Sequence, residues 1–334
     1  MTRLAALAIG VVLSLLMAAC GGDDERGAAS EGEGTRIAVV TDLRGLGDRG
    51  FNALANQGLE RAEAELGVEG RVFISKSAND YVPNLTRAAR DGYDLVIANG
   101  FLMGDALANV AARFPDTRFA IIDLPWSALE GAPQNTRGLV FAEQEAGYLV
   151  GVAAATVADG GAVGAVGGQE VPAVVAFLSG YRAGAKATDA RVRVLEGYSQ
   201  ELRDPAKCKE LALNQIDDGS KVVFEAAAGC GLGALEAAKD RSLWGIGVDS
   251  DQSFLGPHIL TSATKKVDVA VFETVTSVLD GKFSGGRDTL FDIANGGVGY
   301  GKVSPNAPGR DALIGELDAV AERIEAGDIE IPRE

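Results

Sequence analysis

The stretch Arg36-Ile37-Ala38-Val39-Val40-Thr41-Asp42, followed after a glycine-broken turn by the helical-length segment Gly50–Leu66, decides the fold. A short apolar run that ends on a polar residue and feeds an amphipathic segment is the unit of a parallel sheet with crossover helices. Working outward, the same unit recurs along the chain. Candidate strands lie at Arg36–Thr41, Arg71–Ser75, Leu95–Ala98, Phe119–Asp123, Thr136–Val140, Ala162–Val166, Arg191–Gly197, Val222–Ala227, Trp244–Val248, Ile259–Ser262 and Gly297–Gly299. Candidate helices lie at Gly50–Leu66, Tyr81–Asp91, Phe101–Phe114, Glu143–Ala158, Val171–Thr188, Pro205–Asp217, Gly231–Asp240, Lys266–Asp280 and Gly309–Ala326. So many strands exceed what one open, twisted sheet usually holds, so the expectation is an α/β protein of two lobes, each with its own parallel sheet. No repeat and no long internal linker separates them. The expected division is 35–140 plus about 252–285 for the first lobe, and 141–251 plus about 286–330 for the second.

Composition narrows the function classes. The chain of 334 residues carries 31 Lys+Arg against 47 Asp+Glu, a formal charge of −16 that repels nucleic-acid phosphates and anionic membrane surfaces. A 47% hydrophobic content with 6% aromatics describes a well-cored domain rich in Ala, Val and Gly. His258 is the only histidine, which excludes a multi-His zinc site and leaves one residue for any Ser-His-Asp system. No catalytic, metal or cofactor motif is read.

The first 20 residues read as an export signal: Arg3, an apolar run from Leu4 to Met17, then small Ala18-Ala19 before Cys20. The run is short for a membrane span. Leu16-Met17-Ala18-Ala19-Cys20 resembles a bacterial lipobox, in which the cysteine is lipidated and becomes the new N-terminus. An ordinary signal peptide with an incidental cysteine is the alternative. Residues 21–34 are polar and rich in Gly, Glu and Asp, as expected of a flexible tether. The protein is therefore expected to sit outside the cytoplasm, held to the cell membrane by Cys20 alone.

The other two cysteines are placed by topology. Asp204-Pro205 reads as a helix cap with proline at the first helical position, which puts Cys208 in the first turns of that helix. Cys230 follows the apolar strand Lys221–Ala228. A crossover helix starts at the carboxyl edge where the next strand ends, so the two thiols meet there. A disulfide closing this loop contributes about 3 kcal/mol; two free buried thiols are the alternative.

Ligands of such sheets bind beyond the carboxyl ends of the strands. The residues there are Asp42, Asn99-Gly100, Asp123, Gly167-Gly168, Gly229-Cys230-Gly231, Asp249, Asp251 and Lys265. Carboxylates that accept from vicinal hydroxyls, with glycines that admit a close backbone approach, suit a neutral hydroxylated ligand. Asp and Asn also cap helices at the same edge, so their joint placement carries the reading.

Six fragments in order resemble the basic membrane protein (BMP) family, the substrate-binding lipoproteins of ABC transporters, which includes purine-nucleoside receptors. They are Thr41-Asp42 with Asp48-Arg49-Gly50-Phe51-Asn52; Phe141-Ala142-Glu143 through Gly151; Val166-Gly167-Gly168 with Pro172 and Phe177-Leu178-Ser179-Gly180; Ala227-Ala228-Gly229; Ile246 through Gln252; and Leu260 through Lys266. The resemblance covers roughly Arg36 to Pro332. It implies a type I periplasmic-binding-protein fold of two Rossmann-like lobes joined by a multi-crossover hinge. Such a protein closes on a purine nucleoside and delivers it to an ABC permease and its ATPase, acting as a monomer. It further implies that Asp42 and Asn52 contact the base, Phe51 stacks on it, and Asp123 contributes another base-contacting carboxylate. Asp249 would hold the ribose hydroxyls, Lys265 would lie near the sugar, and Gly229 would offer a backbone contact; Asp251 and Lys266 are the adjacent registers.

The chain departs from the family where a second stacking aromatic belongs. Tyr198-Ser199-Gln200-Glu201-Leu202-Arg203-Asp204 places Leu202 near that position, with Tyr198 as a substitute, and Arg49 stands where Lys is common. A sugar receptor of the same fold is the main alternative. A nucleoside-acting enzyme or calcium site built on Asp123, Asp249 and Asp251, and a sensory lipoprotein, are the other classes. Trp126 reads as a cleft-edge or loop residue, Trp244 as core and His258 as structural.

Overall fold

The structure, a computed structural model, describes residues 34–334. The signal, lipobox, Cys20 and nearly all of the tether lie outside the described residues. Among the described residues no helix is long and apolar enough to cross a membrane.

The first sheet is built from β1 (Arg36–Thr41), β2 (Glu69–Phe73), β3 (Leu95–Asn99), β4 (Arg118–Ile122) and β5 (Thr136–Phe141). Crossover helices α1 (Phe51–Leu66), α2 (Tyr81–Arg90) and α3 (Gly104–Arg113) connect the first four strands. After β5 the chain passes through α4 (Glu143–Ala158) into a second sheet, built from β6 (Ala162–Gly167), β7 (Val194–Tyr198), β8 (Ser220–Ala226), β9 (Trp244–Asp249) and β10 (Ile259–Lys265). Its crossovers are α5 (Pro172–Thr188), α6 (Pro205–Asp217) and α7 (Gly231–Asp240). The chain then returns through α8 (Val267–Leu279) to β11 (Arg287–Phe291), crosses again to β12 (Val298–Tyr300), and ends after α9 (Arg310–Glu325). Each sheet has six strands, ordered β11-β5-β4-β3-β1-β2 and β12-β10-β9-β8-β6-β7. All neighbours are parallel except β12, which runs antiparallel to β10. The α/β class of two parallel sheets is as the sequence implies.

The expected lobe boundaries need correction. Residues 259–265 pair with β9 in the second sheet, and 287–291 pair with β5 in the first. Of the span 252–285, α8 and the turn after it join the first half: Ser284 O accepts from Arg137 Nε at 2.9 Å, and α8 packs on α1 so closely that a Cβ at Gly58 would strike the Asp268 carbonyl. The strand at 287–291 escapes a hydropathy reading because, of Arg287-Asp288-Thr289-Leu290-Phe291, only Phe291 is buried. It is an edge strand, and edge strands carry charge to discourage further pairing.

Two features hold the second sheet's cover. Gly147 and Gly151 of α4 face the carbonyls of Phe177 and Tyr181, while Gly180 and Gly184 of α5 face those of Gln144 and Tyr148. The two backbones touch, and a methyl group at any of the four positions would force them apart. Cys208 and Cys230 form a disulfide with Cα atoms 5.5 Å apart, inside a small apolar cluster with Val166, Ala212 and Ala234. The topological argument from the sequence is met.

Candidate functional site

Strand register fixes the site. Thr41 lies opposite Asn99, and Asn99 opposite Ile122, so three neighbouring strands of the first sheet end level. Asp42 and Asp123 follow these ends. In the second sheet Gly167 lies opposite Ala226 and Asp249 opposite Thr264. The two carboxyl edges enclose a cleft of about 490 Å³ of atom-free space, mouth included, lined by Arg44, Phe51, Phe101 and Asp123 from the first half. Val171, Val174, Phe177, Leu202, Ala228, Asp249 and Lys265 line it from the second. Asp123, Ala228 and Asp249 have φ of 66°, 53° and 62°. Non-glycine residues rarely adopt this left-handed conformation, and its clustering at one place marks a site whose shape the fold enforces.

On the first wall, the N-terminus of α1 is capped by Asp48, which accepts from the backbone N–H of Asn52 at 2.8 Å and of Gly50 and Ala53 at 3.2 Å. Without that cap these N–H groups would be buried unpaired. The cap fixes Asn52, whose Nδ2 donates to Asp42 Oδ1 at 2.7 Å and to Asp48 Oδ2 at 3.0 Å, while its Oδ1 accepts from Asn99 Nδ2 at 2.9 Å. Asp42 also accepts from Arg44 Nε at 2.6 Å and from the Arg44 backbone N–H at 3.0 Å. Asp42 and Asn52 are therefore fully buried behind the cleft surface, and Phe51 and Arg44 form that surface. The Arg44 guanidinium lies 4.6 Å from the centre of the Phe51 ring.

Lys265, at the end of β10, reaches between the halves. Its Nζ is 2.6 Å from Asp123 Oδ1 and 3.1 Å from Glu143 Oε1, and Arg333 Nη2 lies 3.3 Å from the other Glu143 oxygen. Burial works against the Lys265 charge, but Asp123, Glu143 and Asp249 outweigh it and hold its pKa above the ordinary value. Burial pushes the Glu143 carboxyl up, with Lys265 pulling the other way. Asp249 is 9% exposed and pushed up to about 6 by burial, with Lys265 opposing and Asp123 adding to the rise. The ammonium also sits 5.4 Å from the Phe51 ring centre and 4.8 Å from that of Phe141.

Of the residues marked in the sequence, Phe51, Asp123, Asp249 and Lys265 thus meet at the cleft, and Asp42 and Asn52 stand directly behind it. Gly229 does not line it; its neighbour Ala228 does. The adjacent registers fall away: Asp251 caps the turn at Ser253, and Lys266 faces a separate surface groove. Leu202 lines the cleft and Tyr198 does not. Trp126 packs on the outer core of the first half, its Nε1 donating to Pro133 O at 3.0 Å. Trp244 packs at the core and His258 is half-buried in its loop. Arg44, Phe101, Phe177 and Glu143 were not marked as site residues, although Phe177 and Glu143 lie within family-like fragments.

Comparison with known proteins finds relatives over most of the chain. Residues 35–334 match the family described as "ABC transporter substrate-binding protein PnrA-like". The chain is 32% identical to the ABC transporter nucleoside-binding protein BmpA of Lactococcus lactis, over 93% of this chain and 94% of that protein. It is 35% identical to an uncharacterised lipoprotein of Pyrococcus horikoshii, over 89% of this chain and 76% of that protein. Among solved structures it is similar to a solute-binding protein of an ABC transporter system from Aeropyrum pernix, with a TM-score of 0.78, 26% identity, and coverage of 90% of this chain and 94% of that one.

Proposed function

The chain belongs to the PnrA-like family of ABC transporter substrate-binding proteins, and from that membership we propose that it is a lipid-anchored receptor that captures a purine nucleoside and hands it to an ABC permease. The observation that carries the nucleoside reading is the pairing of Phe51 with Asp249 across one cleft. Phe51 supplies an aromatic face for a base. Asp249 is buried at the edge of the same cleft, where its carboxylate stands ready to accept from vicinal sugar hydroxyls. Phe101 and Phe177 add aromatic surface where Leu202 lacks it.

Charge supports a neutral ligand. The cations Arg44 and Lys265 are already paired, by Asp42 and by Asp123 with Glu143, so a phosphate would enter beside carboxylates without a free counter-charge. Anchoring through Cys20 rests on the lipobox and on the lipoprotein name of the Pyrococcus relative. Three chain crossings, after β5, β10 and β11, join the halves and form the hinge on which they close over the ligand. Calorimetric titration of the full chain, unfolded and refolded to strip carried ligand, tests the reading. Purine nucleosides should bind and free ribose should not; binding of pentoses or hexoses alone would make this a sugar receptor.

A further inference from the structure

Arg44 is the cation that the sequence reading passed over, and its placement points to a role in reading the ligand. It lies three residues past the end of β1, where an arginine is ordinarily solvated, yet its side chain is only 11% exposed. Asp42 holds it from behind, accepting from Nε at 2.6 Å and lying in ion-pair contact with Nη2. Asp42 is itself fixed by Asn52 Nδ2, at 2.7 Å. The carboxylate is thus covered, and the group presented to the cleft is the guanidinium, close against Phe51. Its Nη1 has no hydrogen-bond partner among the described residues. Where a carboxylate would accept from a base, this wall donates.

We propose that Arg44 sets the specificity of the cleft, selecting nucleosides whose base presents adjacent acceptors, the 6-oxopurines guanine and hypoxanthine, over adenine. The inference rests on the nucleoside reading above and deepens it. A guanidinium is a planar donor fork without an acceptor, and the O6 and N7 atoms of a 6-oxopurine are the acceptor pair that such a fork matches. Adenine offers N7 but places a donor amine at position 6, which sets donor against donor and leaves a buried N–H unpaired. Because Asp42 neutralises the guanidinium, a neutral carbonyl is the fitting acceptor, not an anion. Asp42 and Asn52 act through Arg44 as positioning residues: they hold the fork in one orientation.

The test is calorimetric titration of the ligand-stripped full chain with inosine, guanosine and adenosine. Wild type should bind inosine and guanosine at least about tenfold tighter than adenosine. Arg44→Ala should lose about ten- to hundredfold for the two oxopurines and less than about threefold for adenosine. Arg44→Lys, which keeps the charge without the fork, should resemble Arg44→Ala. Should Arg44→Ala fail to fold with Asp42 left unpaired, the double variant Arg44→Ala with Asp42→Asn removes the orphan charge and should show the same selective loss. Equal affinity of wild type for all three nucleosides, or equal losses for all three in the variants, overturns the role of Arg44 and leaves nucleoside capture standing. No binding of any nucleoside to wild type overturns both.

Discussion

The two walls of the cleft are built on opposite principles. In the first, Asp42, Asp48, Asn52 and Arg44 use one another as hydrogen-bond partners, and the turn 42–52 is held as a unit by the cap on α1. In the second, the surface is apolar, formed by Val174, Phe177, Leu202 and Ala228, and its carboxylates are poorly satisfied. Asp249 has a pKa pushed up to about 6, and behind it Glu225 is pushed up to about 8 by burial, with one oxygen unpartnered. A wall whose polar groups hold one another presents a fixed edge to a ligand; one whose buried carboxylates are held by little but burial gains most from the ligand's arrival. The comparison assigns orientation to the first wall and closure to the second.

Lys265 is the tie between the walls, and its removal should have the largest effect. Lys265→Ala leaves Asp123 buried without its cation and Glu143 with Arg333 alone, and should destabilise the protein by about 3–5 kcal/mol in a denaturant titration. A loss under about 1 kcal/mol would mean that the carboxylates are solvated and the walls independent. The disulfide comes next: Cys208→Ser with Cys230→Ser should cost about 3 kcal/mol of stability, since the bond restrains the unfolded chain. The same pair should leave base discrimination unchanged, because that property resides in the other wall.

Much of this was legible in the sequence, for identifiable reasons. Parallel strands buried on both faces advertise themselves as apolar runs, and the residue after each run falls at the ligand edge whatever the strand order. Asp123, Asp249 and Lys265 were found in that way. What stayed hidden depends on long-range pairing. Neither the sheet membership of 259–265 nor the edge strand 287–291 follows from local hydropathy, since both are fixed by which neighbour is adjacent in space. Arg44 and Glu143 look like ordinary surface charges until burial is known. Phe101 and Phe177 occupy helical or near-helical positions that equally suit a core.

Smaller effects sharpen the contrast. Asp249→Ala should weaken nucleoside binding by about 1–3 kcal/mol, about ten- to hundredfold, with little change in stability. Unchanged affinity would remove Asp249 from the site. Glu225 supplies the pH dependence. Its folded pKa of about 8 exceeds its ordinary value of 4.5, so the folded state binds the proton more tightly. Stability in the ligand-free protein should therefore fall as pH rises from about 4.5 to about 8, by at most about 1.4 kcal/mol per pH unit from this group, and level off above. Asp249 acts in the same sense between its ordinary 3.8 and about 6. Glu225→Gln should flatten the upper part of that slope. An unaltered profile would show that Glu225 ionises normally and that the second wall is no less satisfied than the first.

The most direct measurement is small-angle X-ray scattering of the ligand-stripped protein with and without saturating inosine, using ribose as the control. If one wall orients the nucleoside and the other closes on it, inosine reduces the radius of gyration and ribose leaves it unchanged. An unchanged radius with inosine bound would contradict closure of the cleft.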